Sequence, residues 1–245
     1  LDCSPSVVVD VGLNDLENLF RKMVGKEQSQ NKLDEFRYYS DENGSHETTD
    51  DSYQTSIVDG IKKWLDDEIK QGKGVFSLAD HWNSPPMWSH YADEHRGICI
   101  EYDKSVCDAP KEVDYQGARG IPVSEILSWV CEKSITAKEK IERKYFYTKA
   151  GQWEYENEWR CLAGSQGRLS APFDIVGIYF GMRCEQSVVS SVVNLMRQSV
   201  LEINFYGVSP ATGYFELIRT QLTDEELNHR YRPMRSPNMI FGRQT

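Results

Sequence analysis

Val75 to Asp103, VFSLADHWNSPPMWSHYADEHRGICIEYD, sets three histidines and two tryptophans between two strand-like segments. Val75, Phe76 and Leu78 predict a short strand, and Gly97 to Tyr102 predicts a second, because apolar and polar positions partly alternate in each. Pro85 and Pro86 cannot continue a strand ladder. Met87 to Tyr91 therefore reads as a helical turn with Trp88, Tyr91 and Ala92 near one face, and Pro86 suits its first position. His90 and His95 then fall close to the start of the second strand, where Gly97 permits a turn or a close approach.

Outward from this stretch, helical and strand patterns mix without a strict strand-helix-strand alternation. The expected class is α+β, a single domain with one mixed, mostly antiparallel sheet and flanking helices. Val7 to Val11 predicts a strand, and Leu16, Leu19, Phe20 and Met23 a helix capped at Asn14-Asp15 and stopped at Gly25. Residues 1–25 are read as the remainder of an N-terminal part. Residues 26–56 are polar with few apolar anchors, including an Asp41-Glu42-Asn43-Gly44 turn, and predict a loop or insertion. The core domain is placed at 57–220, beginning with a helix on Ile57, Ile61, Trp64, Leu65 and Ile69. Within it Ser124 is read as a helix cap, Tyr155 to Leu162 and Phe173 to Phe180 as strands, and Ser187 to Gln198 as a helix. Leu201 to Val208 and Tyr214 to Ile218 predict two more strands. Residues 221–245 are read as a basic C-terminal tail, arginine-rich from His229 to Arg243, expected to pack on the acidic body or stay mobile rather than to serve as a nucleic-acid arm.

With 245 residues, 39% hydrophobic and 27% charged, the chain can bury a sizeable core. No apolar run approaches the ~20 residues of a membrane span, so no membrane partner is expected. Leu1 to Pro5 carries neither a basic end nor a long apolar core and does not read as a signal peptide. The six cysteines, Cys3, Cys99, Cys107, Cys131, Cys161 and Cys184, contain no Cys-x-x-Cys pair. That suits small buried hydrophobes in a reducing, cytoplasmic setting, with neither a disulfide framework nor a zinc site. A net charge of −10 weakens attraction to phosphate backbones, so nucleic acid is not the expected partner. Composition says nothing of oligomeric state.

Phosphate-binding glycine loops and the Gly-x-Ser-x-Gly elbow are absent. His90 and His95 are five apart, not the four that would align two imidazoles on a helix face, and no metal site is assigned. Asp80, His81, His90 and His95 are the nearest approach to one. The chemistry concentrates instead in a second run, Lys144 to Lys149 (KYFYTK) followed by Trp153 to Arg160 (WEYENEWR). On a strand, Glu154, Glu156, Glu158 and Arg160 would share one face. Two adjacent carboxylates can raise one pKa and prepare it for acid or base work.

WSHYADEHRGICIEYD, the lysine and aromatic run before WEYENEWR, and DIVGIYFGMRC together resemble the bacterial domain of unknown function family 2971, over residues 75 to 220. Members of that family carry an earlier strand-rich segment ending in an Asn-Asp-Pro turn. The resemblance therefore implies that the first few dozen residues of the domain precede Leu1.

In residue type and order, His90, the Tyr145-Phe146-Tyr147 aromatics and Glu156-x-Glu158 look like the parts of the ADP-ribosyltransferase group. Its imidazole holds ribose hydroxyls, an aromatic face stacks on nicotinamide and a carboxylate stabilises an oxocarbenium-like transition state. That likeness implies a NAD-cleaving effector of toxin or phage-defence type. Glu156, Glu158 and His90 would be catalytic, and Tyr91, His95, Tyr147, Lys149 and Arg160 would bind ligand. NAD is the candidate substrate, and no cofactor is assigned. A non-catalytic nucleotide-binding or protein-interaction module is the alternative, and a metal-dependent nuclease a further one. A purely structural account is also open, in which Trp88, His90 and Tyr91 are core residues and Arg160 pairs with Glu101 or Glu158.

Overall fold

The computed structural model describes residues 5–42, 49–103, 110–170 and 173–229. In chain order its elements begin β1 (Val7–Val8), α1 (Leu13–Val24), α2 (Lys26–Glu42), α3 (Thr49–Lys70), β2 (Gly74–Ala79), α4 (Pro85–Tyr91) and β3 (Ile98–Asp103). Next come β4 (Lys111–Glu112), β5 (Ile121–Pro122), α5 (Val123–Val130), α6 (Ile135–Phe146), a 3-10 helix (Gly151–Glu156) and β6 (Glu158–Ala163). The chain then forms β7 (Asp174–Phe180), α7 (Gln186–Met196), β8 (Asn204–Pro210), β9 (Leu217–Gln221) and α8 (Asp224–His229). The α+β class holds, with mixed and mostly antiparallel pairing, but strands fall into three sheets rather than one. The domain is built as two compact units, each from two separated stretches: Leu1–Leu78 with Pro110–Arg168, and Ala79–Ala109 with Leu169–Thr245. Cys3, Cys107, the Asn43-Gly44 part of the expected turn and the arginines after His229 lie outside the described residues.

The first unit is mainly helical. Leu16, Leu19 and Phe20 of α1 and Ile57, Ile61, Leu65 and Ile69 of α3 recur at helical spacing and are buried together. Fully burying such a side chain stabilises by roughly 1.5–3 kcal/mol. Gly60 lets α3 approach α1, since a Cβ there would lie 2.6 Å from the Phe20 ring. Glu17 ties three helices: its carboxylate accepts from Arg21 of α1 (2.8 Å), Arg37 of α2 (2.6 Å) and Tyr53 of α3 (2.7 Å). The loop expected over 26–56 is instead helical across α2 and from Thr49 onward. The buried stripe of α2 runs Ser29, Leu33, Phe36 and Ser40, with Phe36 only partly buried, so a helical period is present but half its positions are serines. The α5 cap also differs. The helix starts at Val123, and Asp10, from a distant part of the chain, accepts from both the N–H and the hydroxyl of Ser124.

The second unit is a four-stranded sheet of order β3-β7-β8-β9, with β7 and β8 parallel and the outer pairs antiparallel. The crossover between the parallel strands runs through α7. Ile178, Phe180 and Phe205 pack on one sheet face with Val189 and Val193 of α7 and Leu227 of α8. Tyr179, Val208 and Leu217 pack on the other with Trp88 of α4 and Ala92, which follows that helix. Tyr91, expected on that same face of α4, is 64% exposed. The expected basic tail starts later than residue 221, because Gln221 ends β9 and Asp224–His229 forms α8. Among the described residues no helix is long and apolar enough to cross a membrane.

Candidate functional site

The chemistry-bearing run of the first unit takes its shape from the turn after α6. Tyr147 closes that helix, Thr148 bridges to Asp114, and the chain enters the short 3-10 helix at Gly151. Asn157 takes a left-handed conformation, φ 42° and ψ 55°, and turns the chain into β6. A strand from Tyr155 to Leu162 is therefore not what forms: Glu156 ends the 3-10 helix and Glu158 begins the strand. An asparagine tolerates left-handed backbone better than most residues, so Asn157 is the sequence signal for this break.

The two carboxylates still converge, through Lys149. Its ammonium donates to Glu156 and, at 3.1 Å, to Glu158. Arg160 lies two residues along β6 on the same face and donates to Glu158 from Nε and Nη2, both at 2.8 Å, with Nη1 on the Phe146 carbonyl. Lys111 of β4 lies beside Arg160, and the Glu158 N–H donates to the Tyr115 hydroxyl at 2.7 Å. Glu156 is 2% exposed and Glu158 7%. Burial works to raise the Glu158 carboxyl, but hydrogen bonds from Arg160 and Ser77, Arg160's charge and Lys149 outweigh it and hold the group at about 2. Burial likewise opposes the charge on Lys149, and its two carboxylate partners overcome that to raise its pKa. The expectation that pairing would raise a carboxyl pKa is thus corrected for Glu158. Its carboxylate faces two cations, so Glu158 is a fixed negative charge at neutral pH and not a proton donor.

Tyr147, expected to bind a ligand, is only 7% exposed and belongs to the core of this unit. The accessible aromatics of the 3-10 helix are Trp153 and Tyr155, 39% and 38% exposed, with ring centroids 6.1 Å apart. Lys149 Nζ lies 5.2 Å from the Trp153 ring centre. The 3-10 helix presents these two outward while Glu156 turns in, a pattern masked in sequence by reading the run as a strand.

His90, Tyr91 and His95 belong to the second unit. His90 is exposed at the end of α4, its ring 6.4 Å from that of Tyr91. His95 follows Asp93 and Glu94 in three successive left-handed residues, and its ring stacks on Trp88 with centroids 6.1 Å apart. Its Nδ1 is buried with no hydrogen-bond partner among the described residues, and burial first, then the charge of Arg183, lowers its pKa. His95 thus packs its ring on Trp88, where burial disfavours its charged form. The expected Arg160 pairing with Glu158 is present, and Glu101 instead accepts from the Tyr179 hydroxyl at 2.8 Å. Asp80 and His81 pair at 2.5 Å, but among the described residues no three His, Cys, Asp or Glu side chains gather to hold a metal ion. Among the described residues Cys99, Cys131, Cys161 and Cys184 form no disulfide.

Residues 87–161 match the model of a family described as "Protein of unknown function (DUF2971)", which bears out the family resemblance over that stretch. That stretch contains His90, Tyr91, His95, Tyr147, Lys149, Glu156, Glu158 and Arg160. No curated protein and no solved structure matches the chain.

Proposed function

We propose that the first unit binds a nucleotide-like small molecule on the ledge formed by Trp153 and Tyr155, with NAD as the first candidate. One observation carries this reading: the accessible Trp153 ring stands 5.2 Å from the Lys149 ammonium that joins the two carboxylates, and the exposed Tyr155 ring lies 6.1 Å from Trp153. A planar base or nicotinamide ring stacks on such a surface, at roughly 1–3 kcal/mol per base. In the ADP-ribosyltransferase-like form of the proposal, Glu158 stabilises positive charge at the ribose carbon as nicotinamide leaves. A carboxylate ionised above about pH 2 suits that role and does not suit proton donation.

A second reading, binding without turnover, is favoured by the pairing itself, because both acids already face cations. The metal-dependent nuclease draws no support from the described residues, which offer no group of ligands. Calorimetry with NAD, ADP-ribose and ATP, followed by assay for released nicotinamide, separates these readings. Trp153→Ala should weaken binding about 10-fold or more while the fold is kept, since the ring is accessible. With turnover, Glu158→Gln should cut it by orders of magnitude and leave affinity nearly unchanged. Binding with no released nicotinamide selects the second reading. Absence of heat with all three nucleotides overturns both.

A further inference from the structure

The β7–β8–β9 register in the second unit sets Tyr179 beside Tyr206, and Arg219 opposite Val208 on the same sheet face. Trp82 stacks on Tyr179 with centroids 5.3 Å apart, and Tyr179 on Tyr206 at 4.7 Å. The Arg219 guanidinium carbon lies 4.7 Å from the Tyr206 ring centre, 5.4 Å from Tyr179 and 5.6 Å from Trp82. Aromatic faces attract a cation electrostatically and here hold one against three rings. Beneath it, Tyr179 is 1% exposed; its hydroxyl accepts from Arg219 Nη1 and donates to Glu101. Gly177 pairs with Glu101 across the strands and leaves room for that carboxylate to lie over β7, since a Cβ there would come within 2.5 Å of it.

The arrangement fixes Arg219 without neutralising it. Four arginines of this unit lie among the described residues: Arg96 and Arg183 pair with Glu94, and Arg197 pairs with Asp224. Arg219 has no carboxylate within salt-bridge distance among the described residues, and it is exposed. A guanidinium has five N–H donors in a rigid fork, and only one is taken by a side chain here. The remaining edge is a ready-made partner for two oxygens of one group, which a lysine could not reproduce.

We infer that Arg219, seated on the Trp82–Tyr179–Tyr206 stack, is the binding group of an oxyanion subsite that receives a phosphoryl or carboxylate group through two parallel N–H···O bonds. This inference does not rest on the reading of the ledge at Trp153. Its test uses the full chain with inorganic phosphate and with acetate, following the Arg219 Nε–H resonance and the heat of binding. Phosphate alone shifting that resonance assigns the subsite to phosphorylated ligands, and acetate doing so assigns it to carboxylates. Arg219→Lys keeps charge and stem, and should bind about 10-fold more weakly because the fork is lost. Tyr206→Leu should weaken binding with Arg219 still present. Arg197→Lys, at a guanidinium already paired, should change nothing. If neither anion shifts the Arg219 resonance, or Arg219→Lys binds as well as the natural chain, the inference is wrong.

Discussion

Replacing Glu158 with glutamine keeps the side chain's shape and removes its charge, so the loss of stability should depend on pH in a calculable way. The carboxyl is held at about 2 against an ordinary 4.5, although burial alone would have raised it. A depressed carboxyl contributes stability that is fully present above its unfolded value and is lost as pH falls through its folded value. At about 1.4 kcal/mol for each tenfold change in proton affinity, ionised Glu158 contributes on the order of 3 kcal/mol at pH 7. By pH 3 the natural chain has itself lost most of this, leaving roughly 1.4 kcal/mol. Urea unfolding of both chains at pH 7, 4.5 and 3 is the assay. The gap between them should change little from pH 7 to 4.5 and then narrow by about 2 kcal/mol by pH 3. The neutral amide also leaves Arg160 and Lys149 short of an anion, which adds an offset that does not vary with Glu158's own titration. Parallel stability curves over the whole range would refute the claim that Arg160, Ser77 and Lys149 hold this group ionised.

Two further substitutions test the architecture. Leu33→Ala should cost about 2–5 kcal/mol in a denaturant melt, because the residue is 0% exposed on the buried stripe of α2; an insertion loop would lose almost nothing. Gly181→Ala should destabilise the second unit by about 1–3 kcal/mol or more, since its Cβ would sit 2.1 Å from the His95 carbonyl oxygen and backbone cannot move aside cheaply. Hydrogen exchange on β3 and β7 reads the effect, and unchanged protection there would count against the close approach.

Strong periods are legible in the sequence. The α1 and α3 stripes, the apolar run of β7 and the helix α7 all follow from apolar spacing, because burial is the force that places them. Where polar residues hold buried or capping positions the pattern misleads: Ser29 and Ser40 hide α2, and Asp10 reaches the start of α5, where Ser124 is expected as the cap. The candidate site is half legible. Residue types lead to Lys149, Glu156, Glu158 and Arg160, and Arg160 does meet Glu158. Yet the acids come together through a left-handed asparagine and a shared lysine, not a common strand face. Reading the run as a strand therefore favours the buried Tyr147 over the accessible Trp153 and Tyr155. The division into two interleaved units lies beyond local patterns altogether, because it depends on contacts between distant stretches.

That interleaving governs the order in which the protein can be completed on the ribosome. β2 takes its place in the sheet of order β2-β6-β4, beside β6. Everything between Ala79 and Glu158, including α4 and β3 of the other unit, must be synthesised before that neighbour exists. At ~5–20 residues per second the wait is on the order of ten seconds. For that time Val75, Phe76 and Leu78 belong to a strand whose hydrogen-bonding edge has no permanent neighbour, in a unit whose helical core is also waiting for α5 and α6. An unpaired apolar strand is a template for the wrong partner, including the same segment on a neighbouring nascent chain. Slowing translation between the two strands should therefore lower the yield of folded protein.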